Sequence, residues 1–310
     1  MGDQCKSDRM ETTELDALVV GAGVAGLYSM HRLRGLGLAV VGVEAGDGVG
    51  GTWYWNRYPG CRCDVPTIEY SYSWDEELEQ EWSFPESMST QPEIERYLNH
   101  VADRHDLRKH FRFETRVTRA TYDDTRARWV VDTDRGDRFD VRWLVMATGS
   151  LSAPNFPDIP GIETFTGRLE HTGLWPRDGV DVTGLRVGII GTGSSAMQSI
   201  PHLARAASHL TVFQRTPNYA FAAQATPTDP EFESYVKEHY REVRALQRAS
   251  RLGISGFVRP AEDGHDARAV GAGALGTGGD ALFDLADPAT NELMRDSFAE
   301  MVRTLSLIHI

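Results

Sequence analysis

Short apolar runs and longer mixed segments alternate along this chain. Short, mainly apolar runs at residues 15–20, 38–43, 186–190 and 210–213 predict buried strands of a parallel sheet. A helical pattern covers residues 24–35, directly after the first run. Between residues 111 and 146 the pattern has period 2 and is broken by Asp123-Asp124-Thr125 and Asp134-Arg135-Gly136, which indicates an antiparallel insertion. This order of elements predicts an α/β fold.

A glycine-rich turn follows the first predicted strand, with the sequence Gly21-Ala-Gly23-Val-Ala-Gly26. Gly21 permits a tight turn, Gly23 lets backbone N–H groups approach a pyrophosphate, and Gly26 lets the next helix pack close to the strand. The second apolar run ends in Glu44, whose carboxylate can accept hydrogen bonds from a ribose diol. We therefore predict a dinucleotide site that suits FAD. A similar glycine pattern begins at Gly271 but follows no apolar strand, so we interpret it as a loop.

A second turn of the same type reads Gly191-Thr-Gly193-Ser-Ser-Ala196 and follows the strand at 186–190. The next predicted strand ends in Gln214-Arg215-Thr216, at the point where the first site has Glu44. A guanidinium and a hydroxyl favour a 2'-phosphate, so this site suits NADPH. The alternative is that Arg215 is an ordinary solvated arginine.

The segment after the first site is rich in aromatic residues, with four of them between Trp53 and Tyr58. Such a run at the carboxyl end of a nucleotide-binding sheet is a plausible wall for a planar isoalloxazine, although some of these rings could fill core. The following Cys61 and Cys63 form a C-x-C pair without further ligands nearby, so we expect no metal site.

The chain is acidic, with 45 Asp and Glu against 32 Lys and Arg and a net charge of -13. This charge argues against nucleic acid as a partner. Three cysteines without a C-x-x-C suit a reducing compartment. The N-terminal residues form no secretory signal, and no apolar run reaches membrane-spanning length. The sequence therefore predicts a soluble cytoplasmic protein without a membrane partner.

The linker before the second glycine turn carries a specific pattern, F-x-G-x-x-x-H-x-x-x-W-P, which runs from Phe165 through His171 to Trp175 and Pro176. With the aromatic block, Arg62-Cys-Asp64 and Phe213-Gln-Arg-Thr-Pro217, it resembles the fingerprint of type I Baeyer-Villiger monooxygenases. The resemblance covers roughly residues 14 to 235.

The resemblance implies two Rossmann-like dinucleotide-binding domains, one for FAD and one for NADPH. It also implies an O2-dependent monooxygenase that converts ketones to esters or lactones through a C4a-peroxyflavin. The implied domains are 14–150 for FAD, 151–182 for the linker and 183–310 for NADPH with a helical insertion.

Roles of individual residues follow from the same resemblance. Asp64 matches an aspartate that positions a catalytic arginine, and His171 and Trp175 belong to the linker that couples domain motion, so all three are expected to affect catalysis. The residues implied at the FAD site are Gly21, Gly23, Gly26, Glu44, Thr52, Trp53, Tyr54, Trp55, Asp64, Tyr70 and Val117. The residues implied at the NADPH site are Gly191, Gly193, Ser194, Ser195, Arg215 and Thr216.

Members of that family continue well beyond this length, and the portion without a counterpart here completes the FAD domain and carries the catalytic arginine. After about Arg248 the signals weaken, apart from an amphipathic helix expected at about residues 291–305. We therefore expect a truncated monooxygenase whose last residues are foreign to its parent. Three alternatives remain, namely an N- or S-oxygenating flavin monooxygenase, a disulfide reductase, which would want the C-x-x-C that is missing, and an inactive nucleotide-binding fragment.

Overall fold

The computed structural model describes residues 12–151, 153–217, 225–250 and 255, together with the backbone of residues 258–259 and 268–269. The helices are α1 (Val24–Gly35), α2 (Thr52–Trp55), α3 (Glu76–Glu81), α4 (Gln91–Arg104), α5 (Ser194–Ala206), α6 (Pro230–Glu238) and α7 (Tyr240–Ala249). The strands are β1 (Thr12–Val20), β2 (Val40–Val43), β3 (Phe111–Arg112), β4 (Val117–Asp123), β5 (Arg128–Thr133), β6 (Arg138–Met146), β7 (Arg186–Ile190), β8 (His209–Phe213), β9 (Val258–Arg259) and β10 (Arg268–Ala269). The predicted α/β class is confirmed.

The chain divides into two compact units, of which the first comprises residues 1–58 and 91–181. Its six-stranded sheet has the order β3-β2-β1-β6-β5-β4. β1 pairs in parallel with β2 and β6, whereas β4, β5 and β6 pair antiparallel. The antiparallel insertion predicted between residues 111 and 146 is therefore confirmed from β4 onward, whereas β3 at its start pairs in parallel with β2. The last strand of the insertion, β6, returns beside β1.

One buried cluster of the first unit lies where the parallel and antiparallel parts of this sheet meet. Leu18, Val43, Val131, Phe139 and Val141 form this cluster. Because these residues come from β1, β2, β5 and β6, the cluster ties the glycine turn that follows β1 to the insertion.

The second unit comprises residues 59–90 and 182–310. It holds the parallel pair β7 and β8 and the helix α5 between them. Helices α6 and α7 contribute a small core of Val236, Tyr240 and Val243. The boundary between the two units falls between residues 181 and 182, and residues 59–90 belong to the second unit.

Several expected elements agree closely with the structure. The helix expected at residues 24–35 is α1, and the strand expected at 186–190 is β7. The glycine pattern at Gly271 and the helix expected at 291–305 lie outside the described residues. Within the described part of the chain, none of the helices has the length and apolar character needed to span a bilayer.

Candidate functional site

The first glycine turn connects β1 to α1 in the first unit. Gly21 has φ +103°, a conformation that L side chains rarely adopt, and its N–H donates to Val43 O at 2.8 Å. α1 begins at Val24 with Gly23 at its N-cap position and no side-chain cap. Glycine at this position leaves backbone rather than a capping side chain at the helix end, and the N-terminus of a helix favours an anion.

A second pair of glycines packs against this turn. Gly50 donates its N–H to Ala22 O at 3.0 Å. A Cβ on Gly51 would lie 2.7 Å from the Cα of Gly23, so only glycine fits the contact. The sequence signal was the Gly50-Gly51 dipeptide before the aromatic block, which sequence analysis did not assign to the site.

Glu44 follows β2 and is only 5% exposed. Its Oε2 accepts from the Ala22 N–H at 2.7 Å, and its Oε1 accepts from the Gly46 N–H at 2.8 Å. The carboxylate thus ties the end of β2 to the glycine turn. Since an ionised carboxylate offers about four acceptor positions, it can also accept from ribose hydroxyls.

The aromatic block forms the short helix α2, in which Trp53 and Tyr54 are buried. The Tyr54 hydroxyl donates to Asp47 Oδ1 at 2.6 Å, and the guanidinium carbons of Arg57 and Arg177 lie 5.3 and 4.6 Å from its ring centroid. Burial, together with the Asp47 hydrogen bond, raises the pKa of the Tyr54 phenol. The ring of Tyr54 is therefore a packing surface for arginines, a role that sequence analysis did not anticipate.

The linker that carries the fingerprint contacts this aromatic helix through Arg177. His171 Nδ1 accepts from the Gly173 N–H at 3.0 Å, and its ring lies 4.7 Å from that of Phe156. Arg177, the second residue after the half-buried Trp175, donates to Asp47 Oδ1 at 2.9 Å. Hydrogen bonds from Tyr54 and Arg177 lower the pKa of Asp47.

The second glycine turn lies in the second unit and connects β7 to α5. Gly191 has φ +101°, and its N–H donates to Phe213 O at 2.8 Å. A Cβ on Gly193 would meet nothing within 4 Å. Ser194 begins α5, and Arg215 and Thr216 are exposed just beyond β8. The turn therefore has space beside its backbone and a cation at the end of the neighbouring strand.

Segment 59–90 of the second unit carries the remaining expected residues. Asp64 is exposed and Tyr70 is half-buried. Cys61 and Cys63 are buried, and neither forms a disulfide among the described residues. Burial raises the pKa of Cys63 to about 12. The described residues contain no cluster of His, Cys, Asp or Glu that could hold a metal ion.

The structure thus distributes the expected residues over two units. The first unit brings Gly21, Gly23, Gly26 and Glu44 together and also contains Thr52, Trp53, Tyr54, Trp55, His171, Trp175 and the half-buried Val117. The second contains Gly191, Gly193, Ser194, Ser195, Arg215 and Thr216, as well as Asp64 and Tyr70. The family resemblance implies that Asp64 and Tyr70 belong with the FAD site, and the structure has both in the second unit.

Comparison with known proteins places this arrangement in context. Residues 15–246 match the sequence profile of the pyridine nucleotide-disulphide oxidoreductases. An acetone monooxygenase (methyl acetate-forming) from Gordonia sp. is 45% identical over 76% of this chain and 44% of its own length. A Baeyer-Villiger monooxygenase from Pseudooceanicola batsensis is 39% identical over 98% of this chain and 57% of its own length.

A solved structure of an oxidized steroid monooxygenase bound to NADP is also similar. It superposes with a TM-score of 0.80 at 47% identity and covers 94% of this chain and 58% of its own chain. The present chain therefore spans about half the length of the proteins that it matches.

Proposed function

This chain belongs to the pyridine nucleotide-disulphide oxidoreductase family. Because the relatives reported above are monooxygenases, one of them named a Baeyer-Villiger monooxygenase, we propose that the chain is part of an FAD-containing, NADPH- and O2-dependent monooxygenase acting on ketones. The products of that reaction are esters or lactones. The observation that carries the proposal is the presence of two glycine turns whose first glycines have φ of +103° and +101°, one with a buried glutamate and the other with an exposed arginine after the neighbouring strand.

FAD is assigned to the first turn. The N-terminus of α1 would face its pyrophosphate. Gly21 would allow the tight turn, Gly23 the approach of backbone N–H groups, and Gly26 the close packing of α1 on β1. Glu44 would accept from its ribose hydroxyls. The fit is supported by the buried Glu44 carboxylate, which accepts from the Ala22 N–H within the same turn. When bound, FAD supplies the oxygen-activating chemistry.

NADPH is assigned to the second turn, where it supplies reducing equivalents. Gly191, Gly193, Ser194 and Ser195 would bind its pyrophosphate at the N-terminus of α5. Arg215 and Thr216 would bind the 2'-phosphate, because a guanidinium can form two parallel hydrogen bonds to a phosphate. The exposed position of Arg215 and the open space beside Gly193 support this assignment.

The other site residues are assigned from the family resemblance. Asp64 would act electrostatically on the flavin environment, while Thr52, Trp53, Tyr54, Trp55, Tyr70 and Val117 would shape it. Because arginines cover the Tyr54 ring, helix α2 would shape the flavin environment through its backbone and through Trp53 and Trp55. His171 and Trp175 would couple motions through the linker. A cytoplasmic location belongs to the same proposal and is supported by the cysteine usage.

The test begins with the visible spectrum of the 310-residue chain after reconstitution with FAD. We expect flavin bands shifted from those of free FAD, followed by NADPH oxidation in air that depends on an added ketone. Oxidation that depends on an amine instead would favour the N-oxygenating alternative. A chain that binds no flavin under any condition would overturn the FAD assignment. Binding of both nucleotides without turnover would indicate the inactive fragment.

A further inference from the structure

Segment 59–90, which carries Asp64, is attached to the helix of the second glycine turn. Gln198 on α5 donates from Nε2 to Arg62 O at 3.2 Å, and its Oε1 accepts from the Arg62 N–H at 3.3 Å. A Cβ on Gly60 would lie 2.4 Å from Gln198 O, so the segment runs directly against α5. Both backbone groups of Arg62, two residues before Asp64, are thus held by one side chain of that helix.

A second attachment is made by Arg244 on α7, which is 5% exposed. Its Nε donates to Glu79 Oε1 at 2.7 Å and its Nη1 to Glu69 O at 3.0 Å. Its Nη2 donates to Ser71 Oγ at 2.7 Å. The guanidinium therefore binds the residues on both sides of Tyr70 and a carboxylate of α3 at the same time.

This arrangement requires arginine rather than any cation. The guanidinium is a rigid plane with five donors in fixed directions, so it can address three acceptors in a set geometry. A lysine ammonium would retain the charge opposite Glu79 but would not span the same acceptors. The Glu69 carboxylate itself accepts its hydrogen bonds from Ser255, from the N–H at 2.9 Å and from the hydroxyl.

We propose that Arg244 is a positioning residue, which fixes the segment that carries Asp64 and Tyr70 to the second dinucleotide-binding unit. Gln198 is the second fixation point and connects that segment to the helix of the second glycine turn. Occupancy of the second site is then transmitted to the segment around Asp64. The identity of the nucleotide in this inference rests on the proposed function. The attachment of the segment does not.

The attachment is tested by hydrogen exchange of the 310-residue chain without nucleotide. We expect Arg244→Met to speed amide exchange in residues 63–71 by about tenfold or more, because three anchoring hydrogen bonds are lost. The matched control is Arg241→Met on the same helix, whose exposed guanidinium pairs with Glu76 and should change exchange in this segment by less than about twofold. Compared with Arg244→Met, Arg244→Lys should recover a larger fraction of the lost melting temperature than of the lost protection against amide exchange in residues 63–71. If Lys restored both to the same extent, Arg244 would serve only as a buried charge and the proposal would be wrong.

Transmission is tested by adding NADP+ to the same proteins and to Gln198→Leu, which offers a second route if Arg244→Met does not fold. In the unmodified chain, protection should increase both at residues 191–194 and at 63–71. In Gln198→Leu and Arg244→Met it should increase at 191–194 alone. If NADP+ protected residues 191–194 of the unmodified chain but not residues 63–71, site occupancy would not be transmitted to the segment and that part of the proposal would be wrong. The proposed function would remain intact. No NADP+ protection anywhere would overturn the proposed NADPH site, and the nucleotide-free comparison would still decide the attachment.

Discussion

Gly26 lies so close to Gly21 that a methyl group at position 26 would stand 1.8 Å from the carbonyl oxygen of Gly21. This distance is far inside van der Waals contact, and the neighbour is backbone that cannot rotate away. The contact fixes how closely α1 approaches the end of β1. The two glycine turns differ in this respect, because the second has Ala196 at the position that corresponds to Gly26.

We predict that Gly26→Ala lowers the free energy of unfolding by at least about 2 kcal/mol, because α1 must move away from β1. Gly193→Ala is the matched control, since a Cβ there meets nothing within 4 Å. It should change stability by less than about 1 kcal/mol but weaken NADP+ binding about tenfold by occupying the space beside the turn. Urea denaturation followed by circular dichroism and a nucleotide titration measure the two effects. Equal stability losses in both variants would contradict this account of the turns.

The preference of the second site for a 2'-phosphate depends on Arg215. We expect Arg215→Ala to raise the Kd for NADP+ by about 10- to 100-fold, because a charge-assisted hydrogen bond to the phosphate is lost. Binding of NAD+, which lacks that phosphate, should change little. Isothermal titration calorimetry with both nucleotides provides the measurement, and Arg205→Ala, an exposed arginine at the end of α5, provides the control. If the Arg215→Ala variant lost affinity for both nucleotides equally, Arg215 would not be the residue that recognises the 2'-phosphate.

Local sequence patterns predicted those parts of the fold that depend on interactions between residues close together in the chain. The strand, glycine turn and helix around Gly21 depend on short-range hydrophobic periodicity and on glycine conformations, and α1 has the expected bounds. The same holds for β7 and the turn at Gly191. The antiparallel insertion was also predictable, because its period of 2 and its polar turns are both visible in the sequence.

The contacts that the sequence did not reveal join residues far apart in the chain. The pairing of Gln198 with Arg62 assigns segment 59–90 to the second unit, but an amide side chain carries no pattern that identifies its partner. The hydrogen bond between Arg177 and Asp47 likewise joins two polar residues of irregular segments. Such contacts are fixed by the packing of the elements and have no periodic signal.

The Cys63 thiol should be unreactive in the folded chain. Burial raises its pKa to about 12. About one molecule in 10,000 then carries the thiolate at pH 8, so alkylation should be about a thousandfold slower than that of an exposed thiol. Labelling with iodoacetamide followed by mass spectrometry measures this rate, and the same reaction in denaturant is the control. Rapid labelling of Cys63 before unfolding would show that the segment opens readily, contrary to its attachment by Gln198 and Arg244.

The buried Glu69 carboxyl should make stability depend on pH. Burial raises its pKa, and the Ser255 hydrogen bonds and the charge of Arg244 offset this effect only in part. The folded state then binds more protons than the unfolded chain between the unfolded and folded pKa values, so stability falls as pH rises through that window. Each unit by which the pKa is raised corresponds to about 1.4 kcal/mol.

Glu69→Gln mimics the protonated carboxyl and should remove this dependence, leaving the variant more stable than the parent chain above the window. Urea midpoints measured from about pH 4 to pH 8 cover the range in which a raised carboxyl pKa acts. Glu238→Gln, which alters an exposed carboxylate of α6, should leave the pH dependence unchanged. A Glu69→Gln variant that lost stability equally at every pH would show that Glu69 acts through its hydrogen bonds to Ser255 and not through its protonation.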